Sequence, residues 1–166
     1  MTNYQPDAEA VSTQSLSSNQ LVNELIEDST QNNHADVIET VISSLDQDQS
    51  AMVNHTESGH LWKFKYGSVE VFVQLTGNTD DDTFTTWAQI LKLPVQNEAQ
   101  LLRKLLEMNW SDTFEARFAL IDEQVVVVAT RTVAELSPGE ISRAITVVAS
   151  IADDNDDALQ AEFSAA

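Results

Sequence analysis

The apolar residues of this chain repeat with two different periods in a fixed order, and that order limits the fold more than any single motif does. From Ala35, residues Val37, Ile38, Val41, Ile42 and Leu45 recur at helical spacing while Glu39, Asp46 and Asp48 fall elsewhere, which predicts an amphipathic first helix. The period then drops to two. Ala51 to Thr56 reads as a first strand and Glu57-Ser58-Gly59 as a turn. In Leu61 to Tyr66, Trp62, Phe64 and Tyr66 alternate with Leu61, Lys63 and Lys65. Val69, Val71, Val73 and Leu75 set one face of the next strand, Gly77 to Asp82 supplies a turn, and Thr83 to Leu91 completes a meander.

Pro94 and Asn97 open a second helix with Leu101, Leu102, Leu105 and Met108 as its apolar stripe, stopping near Asn109. Phe114, Ala116, Phe118 and Leu120 alternate with Glu115 and Arg117, Asp122-Glu123-Gln124 reverses the chain, and Val125 to Thr132 is rich in β-branched residues, so a second hairpin is expected here. Ser137-Pro138-Gly139-Glu140 combines a capping serine, a proline in the first turn and a glutamate three residues after the cap. The third helix follows, with Ile141, Ala144, Ile145, Val148 and Ile151 inward. Asp153, Asp154, Asp156 and Asp157 then oppose the helix dipole, so fraying is expected beyond Asp157. Helix, three to four strands, helix, two strands, helix is the order of an α+β two-layer sandwich, an antiparallel sheet with its helices on one face.

Charge divides the chain of 166 residues into segments. Eight basic against 27 acidic side chains give a net charge of −19, and every base lies between Lys63 and Arg143. Residues 1–33 are acidic and rich in Ser, Thr, Asn and Gln, the composition of a disordered arm, although Leu21, Val22, Leu25 and Ile26 fall at the spacing of a short helix. The expected organisation is therefore an arm at 1–33, a domain at 34–157 and a frayed tail at 158–166. No stretch approaches the roughly 20 apolar residues of a membrane helix, and Met1 to Pro6 carries no base of a secretory signal, so a cytoplasmic location is expected. A field this negative disfavours nucleic acid and anionic membranes as partners.

The absence of cysteine excludes disulfides, thiolate metal centres and cysteine nucleophiles. His55, Glu57 and His60 flank one turn and could share a metal ion, but hairpin shoulders explain them as well, and His34 reads as a surface residue. Asp153, Asn155 and Asp157 match the opening of a calcium loop, which then fails at Ala158 and Ser164, where glycine and glutamate are required. Asp80, Asp81 and Asp82 read as a solvated loop tip. No nucleophile elbow, phosphate loop or metalloprotease pair is present, so neither enzymatic activity nor a cofactor is expected. Of the aromatic set Trp62, Phe64, Tyr66, Phe72, Trp87 and Phe114, the residues Trp62, Phe64, Phe72 and Trp87 are the interface candidates. Phe72 must point away from Val69, Val71 and Val73, beside Trp62 or Trp87 according to register.

Leu61-Trp62-Lys63-Phe64-Lys65-Tyr66-Gly67-Ser68-Val69-Glu70-Val71, Trp87-Ala88, Leu102 to Asn109, Phe118-Ala119-Leu120 before the valine run, and Leu136-Ser137-Pro138-Gly139-Glu140-Ile141 resemble, in this order, the YbjN domain family of bacteria over roughly residues 35–155. That family is similar in fold to class I type III secretion chaperones, which dimerise and bind extended client segments without catalysis. The resemblance implies a sensory or regulatory protein and brings no catalytic residues. The expected function is a non-enzymatic protein-binding module, homodimeric, that holds a basic or amphipathic segment on apolar surfaces bordered by acids. The alternative is a regulatory domain that senses a small molecule in the cleft between helices and sheet.

Overall fold

A computed structural model describes residues 34–56 and 59–166. The expected arm at 1–33 and its short helix lie outside the described residues, as does Glu57. Helix α1 occupies 34–45. It is followed by strands β1 (Met52–Thr56), β2 (Gly59–Tyr66), β3 (Val69–Leu75) and β4 (Thr83–Lys92), then helix α2 (Glu98–Ser111), strands β5 (Arg117–Ile121) and β6 (Gln124–Thr132), and helix α3 (Pro138–Glu162). The strands form one antiparallel sheet in the order β1-β2-β3-β4-β6-β5, so the second hairpin enters through β6 and leaves β5 at the edge.

Cross-strand register sorts the side chains into two faces. Trp62 pairs with Val73 and Phe64 with Val71, Val71 pairs with Ala88, and Ala88 with Val127. These residues lie on the face that the helices cover, with Ile38 and Ile42 from α1, Leu101 and Leu105 from α2, and Ile141, Ile145 and Val148 from α3. Each large side chain buried there contributes roughly 1.5–3 kcal/mol relative to exposure, which is why period-two strands and period-3.6 helices settle on one another. Among the described residues, no helix packs on the opposite face, and every sheet residue of the core cluster belongs to the covered one.

The expected capping box forms: the Glu140 amide donates to Ser137 Oγ at 3.2 Å and the Ser137 amide to Glu140 Oε2 at 3.0 Å. The Ser137 backbone and hydroxyl, then Arg131, hold the Glu140 carboxyl below its ordinary pKa. The three hydrogen-bond donors that Thr79 and Thr76 offer Asp82 do the same in the β3–β4 turn.

Two expectations are corrected. The tail does not fray at 158: α3 continues to Glu162, Leu159 and Phe163 are buried, and Val95 bridges Ala165. Ala152, Leu159 and Phe163 prolong the apolar stripe, and Asp156, which interrupts it, accepts a hydrogen bond from Ser68 Oγ at 2.8 Å. Phe114 is not a strand residue either. It has φ 51° and is 81% exposed, in a turn closed by the Ala116 amide on the Thr113 carbonyl, and β5 begins only at Arg117.

Candidate functional site

The uncovered face of the sheet is built by alternation. Wherever Val71 or Val73 turns toward the helices, Phe72 turns away, and antiparallel pairing carries that row across all six strands as Met52, Lys63, Phe72, Trp87, Val128 and Arg117. The register thus resolves the choice of neighbour for Phe72 in favour of Trp87. The two rings stack with centroids 5.2 Å apart and planes 9° from parallel, and Lys63 Nζ stands 5.6 Å from the Phe72 centroid. Both aromatic residues are half-buried. Trp62 and Phe64, the other two interface candidates, are 3% and 1% exposed and belong to the core, because they share a face with Val71 and Val73. Trp62 donates its indole N–H to Glu39 of α1 at 3.3 Å, and Tyr66 packs partly buried against the same core.

The charged strand residues of this face are mostly basic, while the turns at the sheet ends carry Asp80, Asp81, Asp82, Asp122 and Glu123. Lys63, Lys65, Lys92 and Arg117 stand on the face with Glu70 as the strand residue of opposite charge. Lys63 pairs with Glu70 at 2.6 Å and Lys65 lies 4.0 Å from Asp48. Among the described residues, Lys92 and Arg117 are the bases with no carboxylate partner, since Arg103, Lys104, Arg131 and Arg143 all have one. The expectation of a basic or amphipathic segment rested on net charge, which does not describe the strand residues of this face.

A second apolar surface lies where α2 ends. Leu106 and Trp110, one turn apart and off the buried stripe, are 71% and 93% exposed, and Phe114 follows in the next turn. Asn109 anchors the helix end to β5: Phe118 donates its amide to Asn109 Oδ1 at 2.7 Å and accepts from Nδ2 at 3.2 Å, so one side-chain amide replaces a neighbouring strand.

The remaining candidates are placed elsewhere. His55 and His60 face each other as cross-strand partners with ring centroids 4.6 Å apart. Among the described residues, no group of three histidine or acidic side chains is arranged to hold a metal ion. His34 is buried, not superficial, and bonds the Leu136 carbonyl through Nε2 at 2.9 Å. Asp153, Asn155 and Asp157 sit in continuous helix and cannot form a calcium loop. A cavity of about 630 Å³ opens beside the C-terminus, lined among others by Glu70, Gln89, Lys92, Gln124, Asp156 and Gln160. No described helix is long and apolar enough to cross a membrane.

Lys92 and Arg117 were missed in the sequence because neither belongs to a motif; period-two alternation from Trp87 to Gln89 and from Arg117 to Ile121 carries part of the signal. Leu106 and Trp110 were legible as apolar residues outside the Leu101–Leu105 stripe.

The fold is an α+β sandwich whose open sheet face carries Phe72 and Trp87 with Lys63, Lys65, Lys92 and Arg117 around them. The chain belongs to the YbjN family, described as "Putative bacterial sensory transduction regulator", whose profile matches residues 34–161. The match extends past the expected domain end at 157, in accord with the continued α3. No curated protein matches the chain. The family description is that of a regulator.

Proposed function

We propose that this chain is a non-enzymatic regulatory adaptor that holds an extended protein segment against the helix-free face of the sheet. The observation that carries this reading is the Phe72–Trp87 stack, half-buried at the centre of a face that no described helix covers. Flat aromatic surface supplies affinity at small cost in side-chain entropy, and the bases around it select a segment with acidic as well as apolar side chains. A photoreactive residue replacing Phe72 in the native host should form one prominent protein adduct on illumination. The same residue at Thr146, exposed on α3, should not. Equal labelling from both positions, or none from either, would remove the reading.

The proposal includes a homodimer formed through α2. A two-fold axis near Leu106 would set Leu106 and Trp110 against their copies and Arg103 opposite the second copy's Glu107. These two residues already pair on one helix at 3.0 Å, so the surface is self-complementary in charge. Sedimentation should show a dimer for the unaltered chain and a monomer for Trp110→Lys; a dimer that survives this change lies elsewhere.

A further inference from the structure

We propose that the cavity between β3, β4 and the end of α3 binds a free dipeptide or tripeptide, with its ammonium group toward Asp156 and Glu70 and its carboxylate toward Lys92. The cavity exists because the sheet divides there. β3 and β4 pair from Leu75 and Phe84 as far as Val71 and Ala88 and then separate: Val69 and Glu70 pair only with β2, whereas Gln89, Leu91 and Lys92 follow β6 through a bulge. Gln160 of α3 donates its side-chain amide to the Ile90 carbonyl at 2.8 Å, standing where a strand partner would be. Ile90 and Phe163, 4% and 2% exposed, give the fork an apolar lining. The site is independent of the segment-capture reading, although Glu70 and Gln89 continue on β3 and β4 the row that Phe72 and Trp87 begin.

The fork carries unlike charges on its two sides. Asp156 is 4% exposed and accepts hydrogen bonds from the Ser68 hydroxyl and the Asp157 amide, each at 2.8 Å, yet among the described residues no base pairs with it. Asp153, one turn earlier, is bound to the same serine, so a second carboxylate deepens the negative field instead of balancing it. A buried carboxylate without a counter-charge is costly, and an ammonium group that enters beside it offsets part of that cost. Lys92, on the β4–β6 side, has no carboxylate partner among the described residues, and the side-chain amides of Gln89 and Gln124 form no hydrogen bond among them. A peptide supplies N–H and C=O groups for those amides between its two charged ends. Its length fits as well. A cavity of about 630 Å³ is roughly 10 Å across, and two or three extended residues span about 7–10 Å, whereas a single amino acid holds its charges too close together to serve both sides. With no net charge, such a ligand also escapes the repulsion that a simple anion meets from a chain of net charge −19.

The test is calorimetric titration of the full-length chain with L-alanyl-L-leucine and with tri-L-alanine. At least one should bind with one-to-one stoichiometry and raise Tm with concentration. Acetylating the amino end of that peptide, or amidating its carboxyl end, should each weaken binding by at least about tenfold. Lys92→Gln should weaken the free peptide by a similar factor and leave the affinity of the amidated one unchanged, because both changes remove the same interaction. Asp156→Asn, which keeps an acceptor for Ser68, should act in the same way on the amino end, weakening the free peptide and not the acetylated one. In ¹⁵N spectra the side-chain amides of Gln89, Gln124 and Gln160 should shift on binding, while the indole of Trp110, exposed at the end of α2, should not. No binding of either peptide up to about 10 mM would overturn the assignment. So would equal affinity for the acetylated form, or a Lys92→Gln chain that still prefers the carboxylate to the amide. Binding weakened by Phe72→Ala as much as by Lys92→Gln would move the peptide to the open sheet face and overturn the cavity as its site.

Discussion

Phe64→Ala should cost about 3–5 kcal/mol of folding stability, a large share of the roughly 5–15 kcal/mol that such a domain possesses, while Phe72→Ala should cost less than about 1 kcal/mol. The two phenylalanines lie on neighbouring strands and differ only in the face they occupy. Phe64 is 1% exposed opposite Val71, and its removal leaves a cavity between the sheet and the helices that rigid neighbours cannot fill. Phe72 keeps one side open to solvent, so the surface lost was never fully removed from water. Urea midpoints at unchanged slope measure both effects. Binding should respond in the opposite sense. Phe72→Ala or Trp87→Ala should weaken the captured segment by about 2 kcal/mol, close to thirtyfold, as expected for a central aromatic anchor. A Phe72→Ala variant that melts with Phe64→Ala would make the stack structural and leave the adaptor without its anchor.

The same contrast separates what could be read from the sequence from what could not. Alternation from Val69 to Leu75 already places Phe72 on the face away from the valines, because strand side chains have a strict period of two. It cannot place Trp62. Whether Trp62 or Trp87 joins Phe72 depends on how two turns set the register, and a shift of one residue exchanges every side chain between faces. The position of Lys92 and Arg117 was hidden for a different reason. Lys92 and Arg117 are separated by the whole of α2 and come to one face only through the β4–β6 and β6–β5 pairings, which no local pattern encodes. At the C-terminus the apolar stripe of α3 passes through Asp156, and a run of acids reads as solvated until Ser68 is known to be its partner. Phe114 fits the alternation before β5 and yet adopts a left-handed conformation that a bulky side chain rarely takes, so its position follows from the turn after α2 and not from its own preference.

Gly67→Val should destabilise the domain by about 3–5 kcal/mol, and the cause can be divided experimentally. Gly67 has φ 53° in the turn between β2 and β3, a conformation that costs an ordinary residue about 1–3 kcal/mol and is least tolerated by a β-branched one. Strain is not the whole reason, since Gln49, Asn97 and Glu135 also have positive φ in this chain. A Cβ at position 67 would stand 2.0 Å from Asp153 Oδ1, the atom that accepts the Ser68 amide at 2.8 Å and lies 2.9 Å from its hydroxyl. The carboxylate would have to leave, and a charge-assisted bond of this kind contributes about 1.5–3 kcal/mol. Gly67→Asn separates the two terms, because asparagine accepts the left-handed conformation but retains the Cβ. Its cost should be large in the unaltered chain and fall below about 1 kcal/mol in an Asp153→Ala background, a non-additivity that chemical denaturation of the four proteins measures. The consequence reaches the binding face. Ser68 ties the β2–β3 turn to α3 through Asp153 and Asp156, and these two strands carry Lys63 and Phe72, so loosening the tie should weaken segment capture before the fold is lost. Capture that survives Gly67→Asn unchanged at a temperature where the domain remains folded would show that the face is held by the sheet alone.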